Sequence, residues 1–327
     1  MRSSRLTALF ATGLAALALA VTGCGNEAAG TSEAAGSDPG YPRTIDHAMG
    51  KTELNHRPQR VVALDTSYVD ATLALETKVV GFTDYRTVKG SLPDYLGDAR
   101  TTYGAEATSV GTLEEPNLEK IAALEPDLIV SARIRHEKLY DQLSAIAPTI
   151  MSETTGATWK DNIRLEAKAL GKEDLAEREI TSYEKAARTV GAAINAKAGN
   201  PTISVTRFLD GPTRLYQKAS YSGIVLSDAG LARPKSQDVD DFAAEISPER
   251  IKDADADAIF VTVFDDEKGT GTRSKRQFEA NPLWKPLAPK VHEVSDTTWM
   301  TAVSVQGAWH ILADLASTFG VAAPVRT

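Results

Sequence analysis

Short apolar runs that alternate with helical patterns constrain the fold of this chain more than any other feature. Helical patterns over about 68–75 and 135–145 separate the apolar runs of the first half. Strands that are separated by helices pair in parallel, with the helices packed on the sheet. The predicted strands are 60–65, 79–80, 127–130 and 148–150 in the first half, and 202–208, 258–263 and 291–294 in the second, before a closing helix at about 304–319. The sequence therefore predicts an α/β protein with two Rossmann-like lobes.

A long helical segment lies between the two halves. From Lys172 to Lys197 the chain has no proline, and apolar residues recur at helical spacing. A helix of about 25 residues is nearly 40 Å long, which is close to the width of one lobe. We therefore expect an N-terminal lobe at 41–156, a connecting helical segment at 157–198 and a C-terminal lobe at 199–327. A ligand cleft would lie between the lobes, which a single long α-helix joins.

The N-terminus has the features of a lipoprotein signal peptide. Arg2 and Arg5 make the start positively charged, and an uncharged, mostly apolar stretch over 6–21 follows. That stretch is short for a membrane span. The residues Val21-Thr22-Gly23-Cys24 resemble the lipobox of bacterial lipoproteins, in which the cysteine carries two acyl chains that anchor stably. We predict a signal peptide at 1–23, lipidation of Cys24, and an extracytoplasmic protein anchored to the outer face of the cytoplasmic membrane. The alternative is an ordinary signal peptide with a chance cysteine.

Composition after the signal peptide describes a tethered body. Residues 24–40 have no large apolar side chain, so they are predicted to form a flexible linker. Cys24 is the only cysteine, so the fold must rely on burial without disulfides. Without Arg2 and Arg5, 34 Lys and Arg face 44 Asp and Glu, a net charge of −10. This charge disfavours nucleic acid and an anionic membrane surface as partners of the body. We expect a monomer.

The sequence contains none of the common catalytic or metal-binding motifs. Nucleophile-elbow, HExxH and P-loop patterns do not occur, and the glycine-rich run at 269–274 breaks the GxGxxG pattern and is predicted to be a solvated loop. The histidines are scattered without paired spacing, namely His47, His56, His136, His292 and His310. We therefore expect no enzyme activity, no catalytic residue, no protein-held metal and no cofactor.

A weak internal repeat places one glutamate in each half. In both copies Glu is followed by Ile two residues later and by Asp eight residues later. The two copies are Glu119, Ile121 and Asp127, and Glu249, Ile251 and Asp257. A helix–turn–strand unit explains the Ile and Asp positions. The glutamates are either first-turn residues that the helix dipole favours, or one exposed acidic group on each lobe.

Arginine and aromatic residues follow several predicted strands. In open α/β sheets, ligands bind at the carboxyl ends of the strands, so these residues are candidates for a cleft. Arginine donates charge-assisted hydrogen bonds to oxygen, and aromatic rings cover apolar linkers. The set predicts an oxygen-rich, partly anionic ligand, although each arginine alone fits an ordinary surface position. The candidate ligand-binding residues are Arg135, Arg207, Arg214, Tyr216, Trp299, Arg133, Arg86 and Tyr85.

Six motifs occur in an order that is typical of one family. They are Pro58-Gln-Arg60-Val-Val-Ala-Leu, the stretch from Pro116 through Glu119 to Asp127-Leu-Ile, Leu143-Ser-Ala-Ile-Ala-Pro148-Thr, Val225-Leu-Ser-Asp-Ala-Gly230-Leu-Ala-Arg-Pro234, Ile246-Ser-Pro-Glu249-Arg-Ile and Asn281-Pro-Leu-Trp284. From about Thr44 onward, the chain resembles the iron-siderophore substrate-binding lipoproteins of ABC importers, in the class whose lobes are joined by one long helix. The resemblance implies that Glu119 and Glu249 dock onto arginines of the permease.

Within that family the chain looks most like the desferrioxamine-type binders of hydroxamate siderophores. The resemblance implies that Arg135 of the first lobe and Arg207, Arg214 and Tyr216 of the second meet an Fe(III)-siderophore complex. The siderophore would supply all the iron ligands. Trp284 is predicted to pack inside the lobe. The alternatives are a binder of haem, cobalamin or a catecholate siderophore with the same fold, a metal-ion binding protein, and a secreted α/β enzyme.

Overall fold

The computed structural model describes residues 38–86, 88–265 and 268–326. The predicted signal peptide, Cys24 and most of the predicted linker lie outside these residues. The end of the predicted linker packs on the first lobe, because the Asp38 carboxylate accepts a hydrogen bond of 2.9 Å from the backbone N–H of Arg57. Within the described ranges, every helix is too short or too polar to serve as a membrane span.

The described ranges contain the following regular elements. The strands are β1 (Arg43–His47), β2 (Gly50–Leu54), β3 (Val61–Ala63), β4 (Val79–Phe82), β5 (Thr108–Ser109), β6 (Leu128–Ala132), β7 (Thr149–Ser152), β8 (Ile203–Phe208), β9 (Thr213–Tyr216), β10 (Ala243–Ile246), β11 (Ala258–Val263) and β12 (Val291–Glu293). The α-helices are α1 (Thr66–Ala74), α2 (Gly97–Tyr103), α3 (Leu118–Ala123), α4 (Arg133–His136), α5 (Tyr140–Ser144), α6 (Trp159–Leu170), α7 (Glu173–Ala198), α8 (Tyr221–Asp228), α9 (Thr270–Glu279) and α10 (Val305–Phe319). Short 3₁₀ turns include Pro248–Ala254, and a π-helical turn covers Thr297–Thr301.

Each half of the chain forms one five-stranded sheet, which confirms the predicted α/β class with two Rossmann-like lobes. The first sheet has the order β5-β4-β3-β6-β7, and all its strands are parallel. The second has the order β10-β9-β8-β11-β12, in which β8, β11 and β12 are parallel. The antiparallel strands β9 and β10 were not predicted. Only a short turn through Gly211, whose φ is +106°, joins β8 to β9, and a short turn permits only antiparallel pairing.

The long helix between the lobes is confirmed to within one residue at each end. The structure has α7 at Glu173–Ala198, and apolar residues that recur at helical spacing are buried on it, namely Ile180, Tyr183, Val190 and Ile194. The helices α6 and α7 end at Gly171 and Gly199, whose backbones adopt the left-handed conformation. Glycine in this conformation is common at helix ends. The connection between the lobes is therefore a stiff helix pair.

Two predictions of secondary structure need correction. The helix predicted at 135–145 is broken into α4, a 3₁₀ turn and α5. At the break, the His136 ring lies 2.7 Å from both Ser131 Oγ and the Leu113 carbonyl oxygen, and burial lowers its pKa. The loop predicted at 269–274 instead begins α9, because the Asp265 carboxylate accepts hydrogen bonds from the backbone N–H and hydroxyl of Thr272.

The internal repeat of the sequence has a structural counterpart in each lobe. Ile121 and Ile251 are fully buried. Asp127 accepts backbone hydrogen bonds of 2.7 and 2.8 Å from residues just before β3. Asp257 accepts one of 2.8 Å from Thr202, just before β8. Each aspartate thus fixes the start of the central strand of its own lobe.

A buried carboxylate fastens the last helix to the first. Asp70 on α1 accepts hydrogen bonds of 3.0 Å from the backbone N–H groups of Gln306 and Gly307 in the first turn of α10. The Gln306 side-chain amide in turn donates a hydrogen bond to the Asp70 backbone carbonyl oxygen. Burial raises the pKa of Asp70 to about 6, although these donors act in the opposite direction. The α10 helix of the second half is thereby held against the first lobe.

A second buried acid, Glu166 on α6, lies in surroundings that favour its neutral form. Thr72 Oγ1 lies within hydrogen-bonding reach of both the Tyr68 carbonyl oxygen and a Glu166 carboxyl oxygen. A hydroxyl has one hydrogen and a carbonyl only accepts, so a protonated Glu166 completes the chain of donors. Its other oxygen has no hydrogen-bond partner in the described part of the chain. Burial raises the pKa of Glu166 to about 8.

Substitution of Gly191 tests the packing of α7 on the end of α8. A Cβ atom at this glycine would lie 1.6 Å from the carbonyl oxygen of Ala229. Alanine favours an isolated helix by about 1 kcal/mol, yet we expect Gly191→Ala to lower the free energy of unfolding by about 1–3 kcal/mol through overpacking. Urea unfolding measures the change. Ala192→Ser on the exposed face is the control, expected within about 0.5 kcal/mol of the wild type. A stabilised G191A variant would contradict the packing.

Replacing Glu166 tests its protonation. Its raised pKa means that its contribution to stability is full below the unfolded value near 4.5 and is lost as the pH rises through about 8. Glu166→Gln keeps a neutral donor at every pH. We expect the variant to lie within about 1 kcal/mol of the wild type near pH 5 and to exceed its free energy of unfolding by about 3–5 kcal/mol above pH 8, since each unit of pKa shift corresponds to about 1.4 kcal/mol. Urea unfolding across this range measures the difference, and parallel pH profiles would contradict it.

Candidate functional site

A cavity of about 570 Å³ is lined by residues of both lobes. The first lobe contributes residues that follow β3, β4, β6 and β7, and the second contributes residues of β8 and β9 and of the turn after β12. The carboxyl ends of parallel strands meet at one edge of a sheet, which is where ligands bind in such folds. Among the predicted residues, those that line the cavity are Arg86, Arg135, Arg207, Arg214, Tyr216 and Trp299.

The arginines of the first lobe are held to different degrees. Arg135 Nε donates a 3.0 Å hydrogen bond to Asp65. Asp65 caps the N-terminus of α1, is almost fully buried and also accepts bonds from Ser67. Arg86 is more exposed and pairs with Glu114 at 2.8 Å. A buried aspartate thus fixes Arg135, whereas a surface pair holds Arg86, and such pairs contribute little.

Arg207 is the most firmly held cationic group of the cavity. Its Nε and Nη2 each donate a 2.7 Å hydrogen bond to Asp296, and its Nη1 donates one of 3.2 Å to the Tyr216 hydroxyl. Burial alone would lower the pKa of Arg207, but Asp296 and Tyr216 raise it. Asp296 immediately precedes the π-helical turn Thr297–Thr301. In both lobes, therefore, an aspartate next to a helical turn orients a cavity arginine.

Arg214 and Tyr216 lie on the antiparallel strand β9. Arg214 pairs with Glu245, the residue opposite it on β10, at 3.1 Å. Tyr216 is mostly buried, and the Phe242 ring packs against it edge to face with centroids 5.3 Å apart. Strand β9 and the residue that precedes β10 thus bring one charged and two aromatic side chains to the cavity wall.

The structure does not place Arg133 and Tyr85 in the cavity wall, so their prediction as cleft residues needs correction. Arg133 pairs with Glu153 at 3.0 Å on the surface. Residues two apart on a helix point about 200° apart, so Arg133 and Arg135 cannot both face the cavity. Tyr85 is fully buried, with its hydroxyl 3.3 Å from that of Tyr95. It belongs to the core of the first lobe.

Trp299 and Trp284, two of the three tryptophans after residue 199, pack against other aromatic rings. Trp299 lines the cavity but is fully buried. Its ring stacks on Phe260 at 4.7 Å, and its Nε1 donates to Asp314. It therefore supports the cavity floor. The predicted packing role of Trp284 is confirmed, because its ring lies edge to face against Phe208 at 6.2 Å.

Four residues of the site were missed by the sequence reasoning. They are Asp65 and Asp296, which hold the arginines, and Ile134 and Phe242, which line the cavity with large exposed side chains. Asp65 follows an apolar strand and precedes a helix, so its position as an N-cap was available from the sequence. The sequence offered no comparable pattern for the other three.

Glu119 and Glu249 are exposed first-turn residues, one in each lobe. Glu119 is in the first turn of α3 and Glu249 in that of the 3₁₀ turn Pro248–Ala254. The pKa of Glu249 is lowered by hydrogen bonds from the Ser247 hydroxyl and from its own backbone N–H. The described ranges contain no group of three or more His, Cys, Asp or Glu side chains arranged to hold a metal ion.

Comparisons with known proteins place the chain in a family. Residues 61–289 match the family model for periplasmic binding proteins. The chain is 36% identical over 292 residues to the probable siderophore-binding lipoprotein YfiY of Bacillus subtilis (strain 168), which covers 85% of this chain and 87% of that protein. It is 31% identical over 308 residues to the Fe(3+)-citrate-binding protein YfmC of the same organism, covering 91% of each.

A solved structure shows the same fold at similar identity. The crystal structure of Staphylococcus aureus SirA complexed with staphyloferrin B has a TM-score of 0.75 and 32% sequence identity to this chain. The match covers 86% of this chain and 99% of SirA. Together with two α/β lobes around an arginine-lined cavity, these matches show that the chain belongs to the periplasmic binding protein family.

Proposed function

We propose that this protein captures a ferric siderophore in its cleft and delivers it to an ABC importer for iron uptake. The observation that carries the proposal is the set of arginines from both lobes around one cavity in a member of this family. Relatives that match most of the chain are named for binding siderophores or Fe(3+)-citrate. The protein would act as a binding protein and not as an enzyme.

The arginines retain hydrogen-bonding capacity for a ligand. A guanidinium has five N–H groups. In the described part of the chain, hydrogen bonds occupy three of those of Arg207 and two of those of Arg135. The remaining N–H groups can donate to ligand oxygens. Hydrogen bonds to charged groups contribute about 1.5–3 kcal/mol each.

In this proposal iron is cargo and not a resident cofactor. The siderophore would supply all six iron ligands, and the arginines would bond the oxygens that carry its negative charge. Because their own aspartates already fix Arg135 and Arg207, little side-chain entropy is lost when the ligand binds.

The first candidate ligand class is the hydroxamate siderophores, such as ferrioxamine, to which the sequence motifs point. The charge of the lining supports a second candidate, a ferric complex of a carboxylate-bearing chelator. Four arginines line the cavity; although each pairs with a carboxylate, the unoccupied N–H groups of Arg135 and Arg207 can donate charge-assisted hydrogen bonds to an anionic ligand. Relatives named for Fe(3+)-citrate and staphyloferrin B agree with this second class.

Delivery would depend on the surface and on the N-terminus. Glu119 and Glu249 present one exposed carboxylate on each lobe, where the permease could pair them with arginines. Cys24 would hold the protein at the outer face of the membrane through its lipid, and the relative YfiY is likewise described as a probable siderophore-binding lipoprotein.

Replacing Arg135 tests the ligand site. Arg135→Gln removes the charge, while Asp65 keeps its hydrogen bonds from Ser67. We expect affinity for the preferred ferric siderophore to fall about 10–100-fold, the equivalent of about 1.5–3 kcal/mol. Arg133→Gln, two residues away on the surface, is the matched control and should bind like the wild type.

The measurement is tryptophan fluorescence titration with a panel of ferric complexes. The panel contains ferrioxamine B, ferric citrate, ferric enterobactin, haem and free Fe³⁺. Submicromolar binding of ferrioxamine B alone supports the hydroxamate class, and submicromolar binding of ferric citrate supports the carboxylate class. Preference for haem or enterobactin would assign a different ligand, and tight binding of bare Fe³⁺ would overturn the proposal.

Charge reversal tests the docking role separately from binding. We expect Glu119→Lys and Glu249→Lys each to reduce siderophore-dependent iron uptake at least tenfold in cells, because a lysine repels arginines of the permease. Ligand affinity should stay unchanged. Glu53→Lys on the exposed face of β2 is the charge-matched control and should transport normally. Uptake by both variants at the wild-type rate would remove these glutamates from the interface.

A further inference from the structure

Large apolar side chains are exposed at four positions in the described part of the chain, and two of these line the cavity. The four are Ile134, Val239, Phe242 and Val325. Ile134 is 65% exposed and belongs to the first lobe, whereas Phe242 is 49% exposed and belongs to the second. One exposed apolar residue therefore stands on each side of the cavity that the arginines line.

Ile134 is held outward by the residues on both sides of it. It is the second residue of α4, between Arg133, which pairs with Glu153, and Arg135, which bonds Asp65. The bond from Arg135 to the buried Asp65, together with a hydrogen bond from the Ile134 backbone N–H to the Glu153 carbonyl oxygen, fixes the rotation of the short helix. With Arg135 facing the cavity, the adjacent Ile134 side chain lies exposed beside it. Its exposure is therefore imposed by the structure.

Phe242 is likewise held in place at the other lobe. Its carbonyl oxygen accepts a 2.9 Å hydrogen bond from the backbone N–H of Gln217, and its own N–H donates to Asp241. One edge of its ring contacts Tyr216, whose hydroxyl accepts from Arg207. The rest of the ring remains exposed next to the most buried arginine of the cavity.

We propose that Ile134 and Phe242 form an apolar rim that binds the hydrocarbon spacers of the ligand, while the arginines bind its oxygens. This inference rests on the proposed function. A siderophore with spacers has two chemically different parts, namely charged oxygens around iron and apolar chains between the chelating groups. The cavity offers donors from Arg135 and Arg207 for the first part and an apolar side chain on each lobe for the second. The rim is thus a determinant of specificity among ferric complexes.

The free energy that is gained when a ligand covers Ile134 and Phe242 favours a role for them in binding. Burying an aliphatic or aromatic side chain that was exposed contributes about 1.5–3 kcal/mol. A spacer that covers part of each side chain would gain part of this burial free energy from both lobes. A complex without spacers, such as ferric citrate, would gain almost none of it. The rim therefore separates ligands by their hydrocarbon content.

The test compares two complexes in matched variants. Ile134→Ser and Phe242→Ser remove the apolar groups, and Val239→Ser is the control, since Val239 is exposed near Phe242 but does not line the cavity. Calorimetric titration measures the affinity and the heat-capacity change for ferrioxamine B, which has pentamethylene spacers, and for ferric citrate, which has none. Circular dichroism establishes that each variant is folded.

We expect each rim variant to bind ferrioxamine B about tenfold more weakly than the wild type does, with a less negative heat-capacity change. Ferric citrate affinity should change less than twofold, and V239S should match the wild type for both complexes. Equal losses for both complexes, or no loss for ferrioxamine B, would overturn the rim, as would a wild type that binds ferric citrate but not ferrioxamine B. If the wild type binds no ferric complex, the proposed function itself fails. Normal affinity with reduced iron uptake would reassign the two residues to the contact with the importer.

Discussion

The buried Asp70 carboxylate is the interaction on which the geometry of the cleft depends. It binds the first turn of α10 and so joins the end of the second half to α1 of the first lobe. The start of α1 carries Asp65, which holds Arg135. The segment just before α10 begins at Asp296, which holds Arg207. One carboxylate therefore joins the two segments that carry the aspartates orienting the cavity arginines.

The same connection explains a strained residue at the cavity wall. Val303 lies between the π-helical turn and α10 and has a φ of +46°, which is unfavourable for a β-branched side chain. Such a conformation persists only where the surroundings fix it. Trp299, stacked on Phe260 before it, and the Asp70 bonds after it leave the segment no other path. The position of the cavity floor is thus determined from both of its ends.

Most helices and strands could be predicted from the sequence because they are marked by local patterns of apolar residues. Strands β8 and β11 and helices α7 and α10 are marked by apolar periodicity, and the prediction placed their ends within about one residue. The antiparallel pair β9 and β10 was missed because it carries Arg214 and Glu245, which have no strand-like pattern, and because α8 separates the two strands along the chain. Their pairing depends on the turn at Gly211 and on the position of β8 beside it.

The candidate site was predictable only in part, for a different physical reason. Strand ends indicated which arginines could reach a cleft, and Arg86, Arg135, Arg207 and Arg214 line the cavity. Whether a side chain faces the cavity or the surface depends on the rotation of a short helix, which no periodicity in four residues reveals. Arg133 was therefore not separated from Arg135, and Ile134 was missed.

Because the connection between the lobes is stiff, ligand recognition depends on the cavity as it is already formed. Because α7 and the Asp70 bond both join the lobes, large closing movements would break buried hydrogen bonds that cost about 1–3 kcal/mol each when left unpaired. Selectivity must then come from groups that are already in position. Arg207 meets this condition through Asp296 and Tyr216, and Arg135 through Asp65. A preformed cavity of this kind distinguishes ligands by the placement of their charged oxygens, since a misplaced oxygen cannot be followed by the arginine that would bind it.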